Sequence, residues 1–444
     1  MIPKTGNKTL SYERKVLLLI LYLIGTILAI LCALYLRFPR EEACAYLIKN
    51  LNAFLTYIIL SLPALYVWGL FEPKNIQNPT AVLKLSFCST FSVSILVILI
   101  FYSRLMIPLG RGAFLLTAIF TILFLSLITI TYGKILPKIL YSRRLAFISN
   151  DPLHQELIGL ITSNPECGYI VHRILLPSSL GALCQEAIDG FVLPTTSISP
   201  EISRTLRMSR FSGIEIYDPL FLYGELTGQI PVDYLTEEWL FSAALSHSNF
   251  HLYKVKRLLD IVASLVGLFF FLPFFPLIAL VIKLDSPGPV LFKQERVGRN
   301  GKLFSIYKLR TMINEAEKEN RPVWAEEDDP RITRVGKVLR RLRVDEFLQL
   351  VNVLRGEMSL IGPRPERRQF VSELARQIPF YEERLLLQPG ITGWAQVNYP
   401  YASSLEDSKK KLQYDLYYYK NISLWLDLII LLRTVRVVLT ASGR

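Results

Sequence analysis

The sequence predicts a membrane protein in three parts. These are an α-helical transmembrane bundle over residues 1–144, a small doubly wound α/β domain over 145–250, and a mixed α/β domain over 251–444 with a re-entrant membrane helix at about 258–283. Three observations predict it. Hydrophobic residues make up 51% of the 444, and mean hydropathy is +0.35, high for a soluble chain. Apolar runs of membrane-crossing length crowd the first third, and a further one, Leu258–Ile282, is interrupted by Pro273 and Pro276. Between them, residues 145–235 alternate short apolar runs with helix-like stretches.

The net charge of +13 joins this apolar content. Together they place the basic parts at an anionic, cytoplasmic membrane surface. Nucleic acid is the other home for basic charge, but no nucleic-acid module or interleaved aromatic pattern is present, so no nucleic-acid partner is expected. Cys32, Cys44, Cys88, Cys167 and Cys184 are odd in number and lack CxxC spacing, against a disulfide scaffold or structural zinc. The four histidines show no metal-ligand spacing.

Four crossings are expected, at Val16–Leu36, Leu51–Phe71, Leu85–Tyr102 and Ala113–Leu136. The basic N-terminus and Lys134, Lys138, Arg143 and Arg144 mark both ends of this bundle as cytoplasmic, although Arg37, Arg40 and Lys49 then face outward. No ionisable residue lies deep in the spans, which favours an anchor and assembly surface over a transport path. Strands follow at Leu145–Ile148, Tyr169–Leu176, Gly190–Leu193 and Ile214–Tyr217, with helices at 152–162, 178–188 and 199–210. The first strand-to-helix turn, Ser149–Pro152, has no glycine. Close backbone approach to a pyrophosphate needs one, so a structural or regulatory role is expected there.

The run Leu258–Ile282 is basic at both ends, with Lys254, Lys256 and Arg257 before it and Lys283 after it. Its prolines break helical hydrogen bonds near the middle. A helix that enters, bends and returns satisfies both facts. A β-hairpin is expected from Val290–Gln294 and Leu303–Tyr307 around the Gly298–Gly301 turn. Glu326–Asp329 suggests a metal-binding DxD element but lacks a flanking hydrophobic strand, and is read as an exposed acidic loop. Helices are expected from Arg367 to Ala375 and over 404–419. The apolar 422–440 stretch, with Trp425, Asp427, Arg433 and Arg436, reads as interfacial.

The densest chemistry lies in Arg340–Arg367. Asp345 and Glu346 enter a helix whose apolar residues are Phe347, Leu348, Leu350, Val351 and Leu354, with Gly356 as its stop. Two adjacent carboxylates flanked by arginines suit a divalent cation and a phosphate. Pro363 and Pro365 hold Arg364 in a fixed turn. These blocks, with Asp285–Val290, Gln294–Gly298, Tyr307–Met312 and Gln388–Asn398, resemble the bacterial sugar transferases, the polyprenyl-phosphate hexose-1-phosphate transferases. The resemblance is close over about 250–440 and, by layout, extends to the large membrane form with its Rossmann-like insertion.

That resemblance implies transfer of sugar-1-phosphate from a UDP-sugar to polyprenyl phosphate, with release of UMP, at the cytoplasmic face of the bacterial inner membrane. It implies Asp345 as nucleophile, Glu346 with Asp345 as holder of Mg²⁺, and Lys308, Arg340, Arg364 and Gln396 as substrate-binding residues. It also implies a re-entrant hairpin broken at a Ser-Pro pair, whereas here Leu272 precedes Pro273. A homodimer is expected from the anchor and the α/β domain. Two rival readings are a membrane glycosyltransferase moving the sugar alone and a non-catalytic assembly or chain-length factor for polysaccharide export.

Overall fold

The computed structural model describes residues 12–76, 78–102, 110–139, 142–164, 167–175, 188–195, 200–245, 250–313, 329–399 and 404–439. The chain falls into two compact units, one running to Thr227 and one from Gly228.

The first unit opens with helices α1 (Tyr12–Arg37), α2 (Arg40–Lys49), α3 (Leu51–Val67), α4 (Pro73–Ile76), α5 (Pro79–Tyr102) and α6 (Arg111–Ile139). Three of them are long and apolar enough to cross a membrane, at Arg14–Arg37, Pro79–Phe101 and Arg111–Lys134. The run expected at Leu51–Phe71 is different. Its helix has 17 residues, roughly 26 Å of rise and at the short limit for a crossing. It follows α2 at a 73° bend, and the two together are long and apolar enough for a broken span or a re-entrant loop. Gly69, at φ 79°, turns the chain just past its end.

Apolar side chains alone do not align these helices. The Tyr22 hydroxyl donates to Thr129 Oγ1 at 2.9 Å and lies 3.2 Å from the Leu70 carbonyl. Thr117, Thr121 and Thr129 return their hydroxyls to carbonyls four residues earlier. Small hydroxyl residues of this kind let helix backbones approach without leaving polar groups bare. Gly25 serves the same end, since a Cβ there would stand 2.4 Å from Ile128 Cδ1.

The chain then builds β1 (Arg143–Phe147), α7 (Pro152–Ser163), β2 (Tyr169–Ile174), β3 (Gly190–Val192), α8 (Pro200–Phe211), β4 (Glu215–Tyr217) and α9 (Pro219–Thr227). The four strands are parallel in the order β2-β1-β3-β4. All three β3 residues are buried, as expected of a short strand covered on both faces. Most of the helix expected at 178–188 lies outside the described residues. At the first strand-to-helix turn, Asp151 caps α7 by accepting from the His154 amide at 3.0 Å, and its other oxygen accepts from the Thr195 hydroxyl at 2.7 Å. A carboxylate thus occupies the helix end where a dinucleotide fold receives a pyrophosphate.

The second unit contains α10 (Glu237–Leu245), α11 (Phe250–Phe271), α12 (Phe275–Asp285), β5 (Leu291–Val297), β6 (Leu303–Leu309), α13 (Arg334–Arg341), α14 (Gln349–Arg355), β7 (Ser359–Ile361), α15 (Arg368–Gln377), β8 (Gly390–Thr392), α16 (Trp394–Asn398), α17 (Leu405–Lys420) and α18 (Leu424–Leu439). Residues 228–245 pack within this unit. Gly228 accepts from Trp394 Nε1, and the Ile230 amide donates to the Gln413 carbonyl.

Helices α11 and α12 meet at a 63° bend. The two prolines act differently. Pro273 sits in the break, whereas Pro276 falls in the first turn of α12, where a missing N–H is harmless. One face of this pair is apolar and exposed, with Val262, Phe269, Phe270, Phe274, Leu277 and Leu284. The other is tied to the unit by polar side chains. Arg257 donates to the carbonyls of Val353 and Leu354 at the end of α14, and Asp260 accepts from the Leu360 amide. Lys256 reaches Asp427 at 2.7 Å, and Tyr418 donates to the same carboxylate at 2.6 Å. On α18, Asp427 therefore points inward, while Trp425, Leu428, Leu431, Val435 and Leu439 form an exposed apolar stripe, the pattern of a helix lying in a membrane interface.

Candidate active site

The β5–β6 hairpin runs antiparallel from Leu291↔Leu309 to Val297↔Leu303. Asn300 and Gly301 take φ 54° and 75° at its tip, the left-handed turn that suits the twist of paired strands. It carries Lys308 into the site, while Asn352 ties it to α14. Asn352 is fully buried, accepts from the Tyr307 amide and donates to the Ser305 carbonyl and to Glu357.

Asp345 and Glu346 do not begin α14. They occupy a separate 3₁₀ turn, Val344–Glu346, because Arg343 takes a left-handed φ of 58° and redirects the chain. Both are buried, at 8% and 6% exposure. Glu346 Oε1 receives Lys308 Nζ at 2.9 Å and Arg364 at 2.8 Å, and Oε2 receives Arg343 at 3.4 Å. Arg340 donates to Thr311 Oγ1 at 2.8 Å and adds positive charge beside Asp345. Gly336 allows α13 this close to the strand, since a Cβ there would lie 2.1 Å from the Thr311 carbonyl.

The two carboxyls are pushed apart. Burial raises Asp345 above the usual carboxylate range, and the neighbouring Glu346 charge adds to the effect. Burial also works to raise Glu346, but Arg364, Lys308 and Arg343 outweigh it and hold that carboxyl well below its ordinary value. Glu346 is thus an ionised carboxylate paired with three cations, with acceptor capacity left on Oε2. Asp345 Oδ1 is different: it is buried and, among the described residues, has no hydrogen-bond partner.

Arg364 is held by interlocked backbone. The Gly362 amide donates to the Thr392 carbonyl, and the Gly390 amide to the Pro363 carbonyl. A Cβ on Gly362 would stand 2.1 Å from the Gln388 carbonyl, and one on Gly393 would stand 2.1 Å from the Gly362 carbonyl. The 362–365 turn and the 388–393 segment are therefore one device, closed by glycines. Gly390→Ala, whose Cβ would meet the Gly362 amide nitrogen at 2.1 Å, is expected to lower stability by about 2–3 kcal/mol, read as a drop in melting temperature.

The structure brings together Lys308, Arg364, Asp345 and Glu346, with Arg340 alongside. Among the described residues, Gln396 makes no hydrogen bond with any of them. Its amide donates to the Ile391 carbonyl, and its Oε1 is buried without a partner. Arg343, absent from the expected substrate-binding set, joins the cluster through its left-handed backbone, which leaves no local sequence signal. Asp329 is buried and bound to Arg331 rather than exposed, and the other acidic residues of that stretch lie outside the described residues. Among the described residues no group of three or more His, Cys, Asp or Glu side chains is placed to hold a metal.

Residues 251–441 match the family described as bacterial sugar transferase. The chain is 42% identical over 271 residues to a UDP-N-acetylgalactosamine-undecaprenyl-phosphate N-acetylgalactosaminephosphotransferase from Aeromonas hydrophila, covering 61% of this chain and 63% of the relative. It is 44% identical over 192 residues to a UDP-glucose:undecaprenyl-phosphate glucose-1-phosphate transferase from Caulobacter vibrioides, covering 42% of this chain and 71% of the relative. It is 41% identical over 186 residues to an exopolysaccharide production protein from Rhizobium leguminosarum, covering 41% and 93%. The chain thus spans less than two thirds of the Aeromonas relative's length.

Proposed function

Because the chain belongs to the bacterial sugar transferase family, we propose that it transfers sugar-1-phosphate from a UDP-sugar to polyprenyl phosphate and releases UMP. The observation that carries this reading is the buried Asp345 Oδ1, without a partner, beside a Glu346 already neutralised by three cations. Such an oxygen is available for a bond that the protein alone does not make.

Asp345 attacks the sugar-bearing phosphorus of the UDP-sugar. A new oxygen–phosphorus bond forms, the phosphoanhydride bond to UMP breaks, and UMP departs with the electron pair. The sugar phosphate then rests on the Asp345 carboxyl. An oxygen of polyprenyl phosphate attacks the same phosphorus, the bond to Asp345 breaks, and the carboxylate is restored. Lys308 and Arg364 act by charge, as phosphoryl transfer requires. Glu346 fixes both cations in place, and Arg340 adds positive charge beside Asp345.

Mg²⁺ fits this donor set, since it binds through one or two carboxylates plus substrate phosphates and the Asp345 oxygen is unspent. Asp345 and Glu346 would hold it, and when bound it would neutralise the diphosphate. Gln396, whose Oε1 lacks a partner, is the further candidate for substrate contact.

The soluble donor and the lipid acceptor meet if α11 and α12 form a re-entrant hairpin on the cytoplasmic side of the inner membrane. The 63° bend and the exposed apolar face support that placement. Cysteines introduced near Lys254 and Leu284 are expected to label from the same side of the membrane. Labelling from opposite sides would refute re-entry.

Nucleotide release tests the reaction. Membranes holding the protein are incubated with polyprenyl phosphate, Mg²⁺ and a UDP-sugar panel that includes UDP-N-acetylgalactosamine and UDP-glucose. UMP from one sugar is the expected product. UDP would instead mean transfer of the sugar alone and would sink the Asp345 intermediate.

A further inference from the structure

The helix that leads into the Asp345 turn ends on a residue that its backbone does not favour. Helix α13 runs Arg334–Arg341, Leu342 follows in right-handed geometry, and Arg343 then takes φ 58° and ψ 19°. This is the left-handed position just past a helix end, where glycine or asparagine is usual because a Cβ is poorly tolerated there. Nothing in the backbone of this turn calls for a long side chain. A bulky residue held in this region is strained, and such strain gathers at functional sites.

The left-handed residue delivers its side chain to the carboxylates. Arg343 Nη1 donates to Glu346 Oε2 at 3.4 Å. That bond is the longest of the three on Glu346, since Lys308 and Arg364 meet Oε1 at 2.9 and 2.8 Å. The Arg343 side chain is 34% exposed, so its head can swing without unpacking the core. Its charge also acts on Asp345, two residues on in the same turn, whose Oδ1 is buried and, among the described residues, without a partner. A long, partly solvated ion pair holds a guanidinium weakly. A phosphate takes the same group through two short parallel bonds. When a phosphate reaches Asp345, exchange of Glu346 Oε2 for that phosphate is therefore favoured, and Glu346 keeps Lys308 and Arg364 throughout.

We propose that Arg343 is a substrate-binding residue, released from Glu346 to hold an oxygen of the phosphate group that meets Asp345. The proposal rests on the phosphoryl-transfer reading above. It gives the site one cation that moves with the substrate, beside two that Glu346 holds in place. The phosphate has two sources, the diphosphate of the nucleotide sugar and the lipid acceptor, and both offer the same oxygens.

The test uses the full chain in lipid nanodiscs with Asp345→Asn as the parent, so that bound substrate does not turn over. Arg343→Gly and Arg343→Lys are made in that parent. Equilibrium binding is measured with UDP-N-acetylgalactosamine and UDP-glucose in one arm and polyprenyl phosphate in the other, with Mg²⁺ in both. Without ligand, Arg343→Gly is expected to melt at the parent temperature or above, because glycine takes a positive φ without strain and only a weak pair is lost. With ligand, the glycine variant is expected to bind in one arm about 10–100-fold more weakly, the range of a charged hydrogen bond. Lysine is expected to restore part of the loss, since it keeps the charge but not the paired donors. The arm that weakens names the source. A purely structural arginine would lower the melt and leave affinity unchanged. Equal affinities for the parent and Arg343→Gly in both arms would thus overturn the proposal, as would a parent that binds none of these ligands. Binding needs no turnover, so a failure of the proposed reaction would show separately, as absence of UMP release from the wild type.

Discussion

Asp345→Asn is expected to abolish turnover and to leave the protein slightly more stable. The amide keeps the shape of the carboxylate but cannot form the bond to phosphorus, so the rate should fall by about four orders of magnitude or more. Stability should move the other way. Burial and Glu346 raise the Asp345 carboxyl in the fold, so folding penalises its ionised form, and the penalty grows as pH rises from the ordinary aspartate range to the raised value, above which it is fully present. Asparagine removes it. At neutral pH the variant should melt above the wild type, and the gap should close at acid pH, where Asp345 is protonated in both states. The same shift places the acid limb of the wild-type pH–rate profile above about 3.9, the ordinary aspartate value. Full activity in the variant would refute a covalent role; a lower melting temperature would refute the electrostatic account.

Glu346→Gln is expected to do the reverse, costing stability as well as activity. Glutamine cannot neutralise Lys308, Arg364 and Arg343, which converge on its two oxygens. Removing one partner of a buried ion pair costs about 3–5 kcal/mol. Arg364 and Arg343 are about a third exposed, so solvent screening reduces this to about 2–3 kcal/mol. The carboxyl of Glu346 is held well below its ordinary value, so this contribution is present above the usual glutamate range and is lost only as pH falls through the lowered value. A thermal melt decides it: a drop of several degrees at neutral pH is expected, and an unchanged midpoint would show that the cations are satisfied elsewhere. The neighbouring carboxylates thus give opposite stability changes.

Much of this was legible in the chain. Hydropathy marked three long membrane-length helices, because a span must be a continuous apolar run. Strand and helix periods marked β1, β2, β3, β4, α7 and α8, because each buries one face or both. The spacing of glycine and proline around Arg364 marked a rigid turn. The second apolar run was less legible. Its length in sequence counts Trp68–Phe71, which continue as turn rather than helix once Gly69 takes a positive φ.

Other features exist only in the folded molecule. The sequence could put Asp345 beside Glu346, but not say which would stay ionised. That depends on Lys308 from β6 and Arg364 from the turn after β7 reaching one carboxylate and leaving the other bare. The joining of the 362–365 turn to the 388–393 segment is likewise settled by residues tens of positions apart. Composition and periodicity act along the chain and determine which elements form. Charge compensation acts through space over a few ångströms, so only the packing of those elements decides which groups are neutralised and which are left available for chemistry.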